Sequence, residues 1–344
     1  MNKLRFAIIG YGGMGSYHAT TLMKNEPVEI VGVYDIDASR RQVAQAHGFQ
    51  VYDTLEAVLT DDTVEIVLIA TPNDSHRPLA IQSMQAGKQV ICEKPVAMNV
   101  AEFDEILAVA KETGRTFMVH QNRRWDPDFL IVRDLYQKHQ IGELFQIESR
   151  VHGANGIPGD WRHLPEHGGG MLLDWGVHLL DQILWLVDSP IKKIMVDFSY
   201  VLGDQVDDGF MTHLTFENGV KALIEVGTSN YTTLPRWYVK GYEGTARIDG
   251  WDCSGEIIRA TRAEDAATPQ PIQAGVGLTK TMAPPSEEAT ETLDMPKVTA
   301  PYVSYYQNVY DVLRKQDAPI VKNGEVRKVL ALIEELFALG QTEE

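Results

Sequence analysis

The sequence predicts two domains: an α/β half built on a doubly wound parallel sheet, then an α+β half with a mostly antiparallel sheet. Three observations predict this. Residues 1 to about 120 alternate short apolar runs with helix-like spacing. Beyond about residue 122 the runs turn into in–out alternation separated by turn signals. The 344 residues are enough for two separate cores.

The elements follow in order. Leu4–Ile9 is a compact apolar run that Gly10 stops, Val28–Tyr34 is a second that ends at Asp35, and residues 64–70 are a third that ends at Thr71-Pro72. Gln89–Cys92 and residues 116–119 continue the series. Helical spacing fills residues 16–25, Ala38–Ala46, 55–59, 77–86 and 101–111. Strands apolar throughout and separated by helices describe a parallel sheet covered on both faces. After a helix over 129–138 and a strand over 145–151, Gly168-Gly169-Gly170 opens a helix over 171–187. Strands are then expected at 193–200, 211–216, Lys221–Gly227, Trp237–Gly241 and 245–248, joined by turns such as Asn218-Gly219. Residues 261–301, rich in Thr, Pro, Ala and Glu, read as a long loop or arm reaching across an oligomer interface. Helices over 303–315 and 325–339 close the chain. The domains are placed at 1–121 and 122–344, with the C-terminal helix packing back on the first.

Composition removes several classes. A formal charge of −17 repels phosphate backbones and anionic lipid, so neither nucleic acid nor a membrane surface is an expected partner. No stretch reaches the roughly 18 apolar residues of a spanning helix, and the start has no signal-peptide pattern. Cys92 and Cys253, the two cysteines, lie far apart without a CxxC partner, which argues against a disulfide framework or a cysteine-built zinc site. A reduced cytoplasmic protein is expected.

Gly10-Tyr11-Gly12-Gly13-Met14-Gly15 fits GxGxxG directly after the first strand. The first glycine makes the tight turn, the second lets backbone approach a pyrophosphate, and the third lets the helix pack on the strand. The first-turn N–H groups then hold the phosphates. Alone, such glycines also serve ordinary turns. The fingerprint needs an acid at the end of the second strand, where Asp35 stands as a ligand for ribose hydroxyls. Its carboxylate would repel the extra phosphate of NADP and so favours NAD, while Arg40 and Arg41 leave NADP open. Thr71, Asn73 and His76 lie at the carboxyl end of the third strand, where open α/β sheets bind ligands. They read either as cofactor contacts or as a capped turn. Glu93-Lys94-Pro95 ends the fourth run, and Asp174 and His178 share a face if the helix has begun by Asp174. Read alone, Asp174 is a cap and His178 a core histidine.

Five segments in this order, GYGGMG, ATPNDSH, CEKP, NRRWD and GGGMLLDWGVHLLD, resemble the Gfo/Idh/MocA oxidoreductases across nearly the whole chain. The resemblance implies a Rossmann domain followed by an open-faced, mostly antiparallel sheet, NAD as cofactor, and a homodimer or homotetramer. It implies that Lys94 is the catalytic lysine, hydrogen-bonding the reacting oxygen as hydride moves, with a proline after it that often follows a cis bond. His178 would exchange the hydroxyl proton, and Asp174 would orient it or bind a neighbouring hydroxyl. Tyrosine replaces that histidine in some members, so the polyol-dehydrogenase pattern is the closer one. Glu93 either orients Lys94 or binds ribose. Arg124, Trp161 and Arg162, with Arg123, Trp125 and His163 nearby, lie where substrate contacts gather.

The expected activity is hydride transfer between nicotinamide and a sugar, cyclitol or related polyol. An NAD-dependent glycosidase working by transient oxidation is the alternative. A non-catalytic NAD-sensing regulator is the remote one, because members of that kind can lack the EKP lysine. A metal hydrolase on His163, His167, Asp174 and His178 is rejected, since those spacings match no zinc template.

Overall fold

The computed structural model describes residues 3–24, 26–261, 270–283, 289–297 and 303–341. Five parallel strands, β1 (Leu4–Ile9), β2 (Val28–Tyr34), β3 (Ile66–Ile69), β4 (Gln89–Cys92) and β5 (Phe117–Val119), form a sheet in the order β2-β1-β3-β4-β5. Strand order reverses at β1, so the cleft beyond its carboxyl end is the place for a ligand. Alternate residues of each strand enter opposite cores. Ala7, Ile9, Val67, Ile69, Val90 and Cys92 face one side; Phe6, Ile8, Ile66, Leu68 and Ile91 face the other. That is why these runs carry no polar face. The helices are α1 (Gly13–Tyr17), α2 (Ala38–Ala46), α3 (Leu55–Thr60), α4 (His76–Gln85) and α5 (Val100–Thr113). Asn99 caps α5 by accepting the Glu102 N–H at 2.8 Å, and Gly114 ends it in the left-handed region at φ 65°.

The second half starts with α6 (Pro127–Lys138) and β6 (Leu144–His152), and α7 (Val177–Leu186) follows. The remaining strands are β7 (Ile191–Ser199), β8 (Gly209–Phe216), β9 (Lys221–Gly227), β10 (Trp237–Gly241), β11 (Gly244–Ile248), β12 (Gly255–Ala260), β13 (Ile272–Ala274), β14 (Gly277–Thr279) and β15 (Thr290–Leu293). Two helices, α8 (Tyr305–Lys315) and α9 (Asn323–Gly340), come last. The large sheet runs β15-β12-β11-β10-β6-β9-β8-β7 and is antiparallel except for β6 against β9. Its inner face, with Ile147, Phe210, Ile224, Trp237 and Ile248, packs on Phe129 of α6, Leu179 and Ile183 of α7, and Leu332 and Leu336 of α9. Truncating a filled position such as Phe129 to alanine leaves a cavity costing about 3–5 kcal/mol.

The stretch expected as a loop over 261–301 is partly ordered, a correction to the sequence reading. Residues 272–279 form the β13–β14 hairpin, and β15 adds an edge strand beside β12. Residues 262–269, 284–288 and 298–301 of that stretch lie outside the described ones. The final helices reach both halves. Tyr305, Tyr306 and Val309 of α8 enter one face of the parallel sheet, while α9 places Val326 and Leu330 on the other. Among the described residues no helix is long and apolar enough to cross a membrane.

Candidate active site at the carboxyl edge of the parallel sheet

The glycine loop is built as its chemistry requires. Gly10 sits at φ 93°, and a Cβ there would lie 2.5 Å from the Ala70 carbonyl oxygen. A Cβ on Gly15 would come within 1.9 Å of the Gly10 carbonyl oxygen, so only glycine lets the helix press on the strand end. Gly12 and Gly13 face open space instead, a cradle that side chains would fill. No side chain caps the helix that starts at Gly13. Asp35 stands beside this loop, its Oδ2 accepting the Tyr11 N–H at 2.6 Å and its Oδ1 the Asp37 N–H at 2.8 Å. The Tyr11 ring is buried, with its hydroxyl 2.9 Å from His47 Nδ1. Open glycine backbone, an uncapped helix start and an adjacent carboxylate fit a dinucleotide: the loop for its phosphates, Asp35 for a ribose.

The turn after β3 is tied down by its own side chains. Asn73 is buried and its amide donates to the Gly168 carbonyl at 2.8 Å. His76 is fully buried, with Nδ1 2.8 Å from the Pro95 carbonyl oxygen and Nε2 2.9 Å from that of Thr71. The Thr71 hydroxyl accepts from Ser75 Oγ at 2.6 Å. These side chains lock the turn to the Lys94-Pro95 segment and to the glycine-rich stretch of the second half. Asn73, through its amide nitrogen, and His76, through both ring nitrogens, therefore brace the cleft wall.

Lys94 precedes a cis bond to Pro95. Its ammonium donates to the Asp174 backbone carbonyl at 2.9 Å and to Asp174 Oδ1 at 3.1 Å. Arg162 Nε lies 3.4 Å from the same Oδ1, and the Arg162 guanidinium stacks on Trp161 at 4.7 Å. Burial alone would raise the Asp174 carboxyl, but Lys94 and Arg162 outweigh it and hold it below the ordinary carboxylate value. The helix of α7 has indeed begun by Asp174, through a π turn over Leu172–Gly176. Such wide turns cluster at functional sites. One turn on, His178 is buried and its Nδ1 has no hydrogen-bond partner among the described residues. Burial, then Lys94 and Arg123, push its imidazole well below the ordinary value, so it stands neutral. The structure thus brings Lys94, Asp174, His178 and Arg162 together.

Arg124 is turned elsewhere. It is buried, and it donates through Nε and Nη2 to both oxygens of Asp181 and through Nη1 to Glu325 at 2.6 Å and the Ile320 carbonyl at 3.3 Å. This clamp ties α7 to the start of α9 and removes Arg124 from the expected substrate contacts. Arg123 is the neighbour that faces the site, lying 4.3 Å over the Trp175 ring, itself 6.1 Å from His178.

Gln121 and the two histidines that meet Glu93 escaped the sequence reading. Gln121, just past β5, is buried with neither amide atom hydrogen-bonded among the described residues. Glu93 does not offer its carboxylate to a ribose. Its Oε1 lies 2.6 Å from His18 Nε2 and 2.8 Å from His120 Nδ1, and its Oε2 accepts the Lys94 N–H at 3.1 Å. Burial would raise this carboxyl, but His120 and His18 outweigh burial and hold it well below the ordinary value. His18 opens a second π turn, and its Nδ1 meets the Tyr306 hydroxyl. His18, Glu93 and His120 are also the described group whose ligand atoms lie within 4.8 Å of one another, the spacing a metal would need. A histidine closing an otherwise apolar strand, as His120 does, was the signal in the sequence.

Comparison with known proteins fits this geometry. Residues 4–121 match the model of an oxidoreductase family with an NAD-binding Rossmann fold, and residues 129–247 match the GFO/IDH/MocA C-terminal domain. An NAD-binding protein from Listeria innocua is 56% identical in sequence, with a TM-score of 0.97 over 100% of this chain and 99% of that one. The uncharacterized oxidoreductase YdgJ of Escherichia coli is 28% identical over 97% of this chain and 95% of its own. The scyllo-inositol 2-dehydrogenase (NADP(+)) IolW of Bacillus subtilis is 27% identical over 97% and 93%. With an NAD-binding Rossmann fold and a matching second domain, the chain belongs to the Gfo/Idh/MocA family of oxidoreductases.

Proposed function

We propose that this protein transfers hydride between NAD and a hydroxyl-bearing carbon of a sugar, cyclitol or related polyol. The observation that carries the reading is the meeting of the Lys94 ammonium with Asp174, one helical turn from the partnerless imidazole of His178. Nicotinamide, when bound, supplies the two-electron acceptor or donor. Lys94 hydrogen-bonds the substrate oxygen and stabilises its negative charge as the C–H bond breaks. His178, kept neutral by burial, takes the hydroxyl proton and returns it in reduction. Asp174 fixes the ammonium through two contacts, and Arg162 and Trp161 offer a cation and an aromatic face to a hydroxylated ring. Asp35 beside the loop favours NAD over NADP by charge repulsion. A relative named as a scyllo-inositol dehydrogenase supports the substrate class.

The test is a screen of polyols, free sugars and their glycosides with NAD and NADP, read by nicotinamide absorbance. Reduced cofactor should accumulate with free polyols and NAD. Failure to bind either nucleotide, or glycoside cleavage without net reduction, overturns the reading.

A further inference from the structure

The cluster behind Lys94 has no part in the hydride step as written, yet it holds a charge in the floor of the site. Glu93 is 4% exposed. Its three neighbours at hydrogen-bond distance are two imidazoles and a peptide N–H. The Tyr306 phenol, which burial keeps protonated, donates to His18 Nδ1. That leaves His18 Nε2–H to donate to Glu93, so His18 serves as a neutral donor. With His120 Nδ1 at 2.8 Å, Glu93 is met by two imidazoles and a peptide N–H, and by no lysine or arginine side chain among the described residues.

Three other carboxylates of this region have strong cations. Asp174 has Lys94 and Arg162, Asp126 has Arg123, and Asp181 has Arg124. Glu93 differs in having imidazoles alone. A buried carboxylate costs several kcal/mol to desolvate, and a chain that keeps one beside its lysine gains an electrostatic field there. Its charge reaches its neighbours: after burial itself, Glu93 pushes up the Cys92 thiol and the Tyr305 phenol.

We infer that the Glu93 carboxylate, clasped by His18 and His120, is a charge-setting group that favours the cationic, oxidised nicotinamide over the neutral, reduced one. The two cofactor forms differ by one positive charge on the ring, so an anion in the floor discriminates between them as no neutral contact can. His18, His120 and Tyr306 are positioning residues that act through Glu93. This rests on the nicotinamide reading of the site made above.

The experiment measures dissociation constants for NAD+ and NADH on the intact protein, by calorimetry and nicotinamide fluorescence. Glu93→Gln keeps the shape and removes the charge. The ratio Kd(NAD+)/Kd(NADH) should rise about tenfold. That raises the bound couple's potential by about 30 mV for two electrons. His18→Leu removes the shorter of the two imidazole contacts and should move the ratio the same way by less, which keeps the test alive if Glu93→Gln does not fold. An unchanged ratio in a folded variant, or equal weakening of both forms, overturns the inference. Stoichiometric zinc or iron in the purified protein, lost in His18→Leu, also overturns it, because the cluster would then be a metal centre. Wild-type protein that binds neither nucleotide would sink the hydride-transfer reading instead.

Discussion

Asp174 and Asp181 lie on one continuous helical segment and each meets a basic side chain, yet they serve different ends. Asp181 is gripped at both oxygens by Arg124, whose remaining hydrogen bonds go to Glu325 and a carbonyl, and both Arg124 and Asp181 are buried. Asp174 shares one oxygen between Lys94 and Arg162 and sits partly open, next to a histidine nitrogen with nothing to bond. A finished network holds helices together. An unfinished one, with a buried nitrogen left unpaired beside a partly open carboxylate, is where a substrate completes the set.

The contrast can be broken by mutation. Lys94→Ala should lower kcat by roughly 10²–10³ while leaving NADH affinity within a few-fold, as stopped-time absorbance and fluorescence titration would report. Comparable turnover in the variant would move the chemistry elsewhere. Arg124→Met should do the reverse. It strands the Asp181 charge and costs about 3–5 kcal/mol of stability by urea unfolding, with kcat per folded molecule nearly kept. If Arg124→Met abolishes turnover without destabilising the fold, the clamp belongs to the site after all.

His178 sharpens the comparison through pH. Its folded value is depressed, so the imidazole remains a competent base as pH falls past the ordinary histidine value of about 6.5. The acid limb of the oxidation rate should lie below that point, and His178→Asn should abolish that limb along with most of the rate. A limb at the ordinary value would mean that the imidazole is solvated. The smallest effect concerns Asp207, whose Oδ2 accepts the Leu172 N–H at 2.8 Å at the start of the catalytic helix. Burial raises its carboxyl to about 7. A raised folded value means that its contribution is complete below the unfolded value, near 3.8, and is lost as pH rises through about 7. Asp207→Asn should therefore flatten the fall in thermal midpoint between about pH 4 and 7, and parallel curves would show that the carboxyl does not titrate there.

Much of this was readable in the sequence, because each local signal has one physical meaning. The apolar runs of the first half became strands buried on both faces, and the glycines of the loop stand where a Cβ collides or where backbone must stay bare. What was hidden depends on long-range packing. Residues 18, 93, 120 and 306 are far apart in the chain and meet only in three dimensions. Arg124 resembles its neighbour Arg123 in every local respect, and only the packing of α7 and α9 separates their roles. Strands β13 to β15 are short and largely exposed, so they carry no apolar alternation to reveal them.

The return of α8 to the parallel sheet sets the timetable for making the protein. Tyr305, Tyr306 and Val309 are bricks of the first-synthesised half, but the ribosome delivers them after the entire strand-rich half has emerged. Until then one face of the nucleotide-binding sheet lacks part of its cover, and the tyrosine that steadies His18 is missing. A nascent chain stalled before residue 305 would hold a half-roofed sheet, exposed to chaperones and unable to grip its cofactor properly.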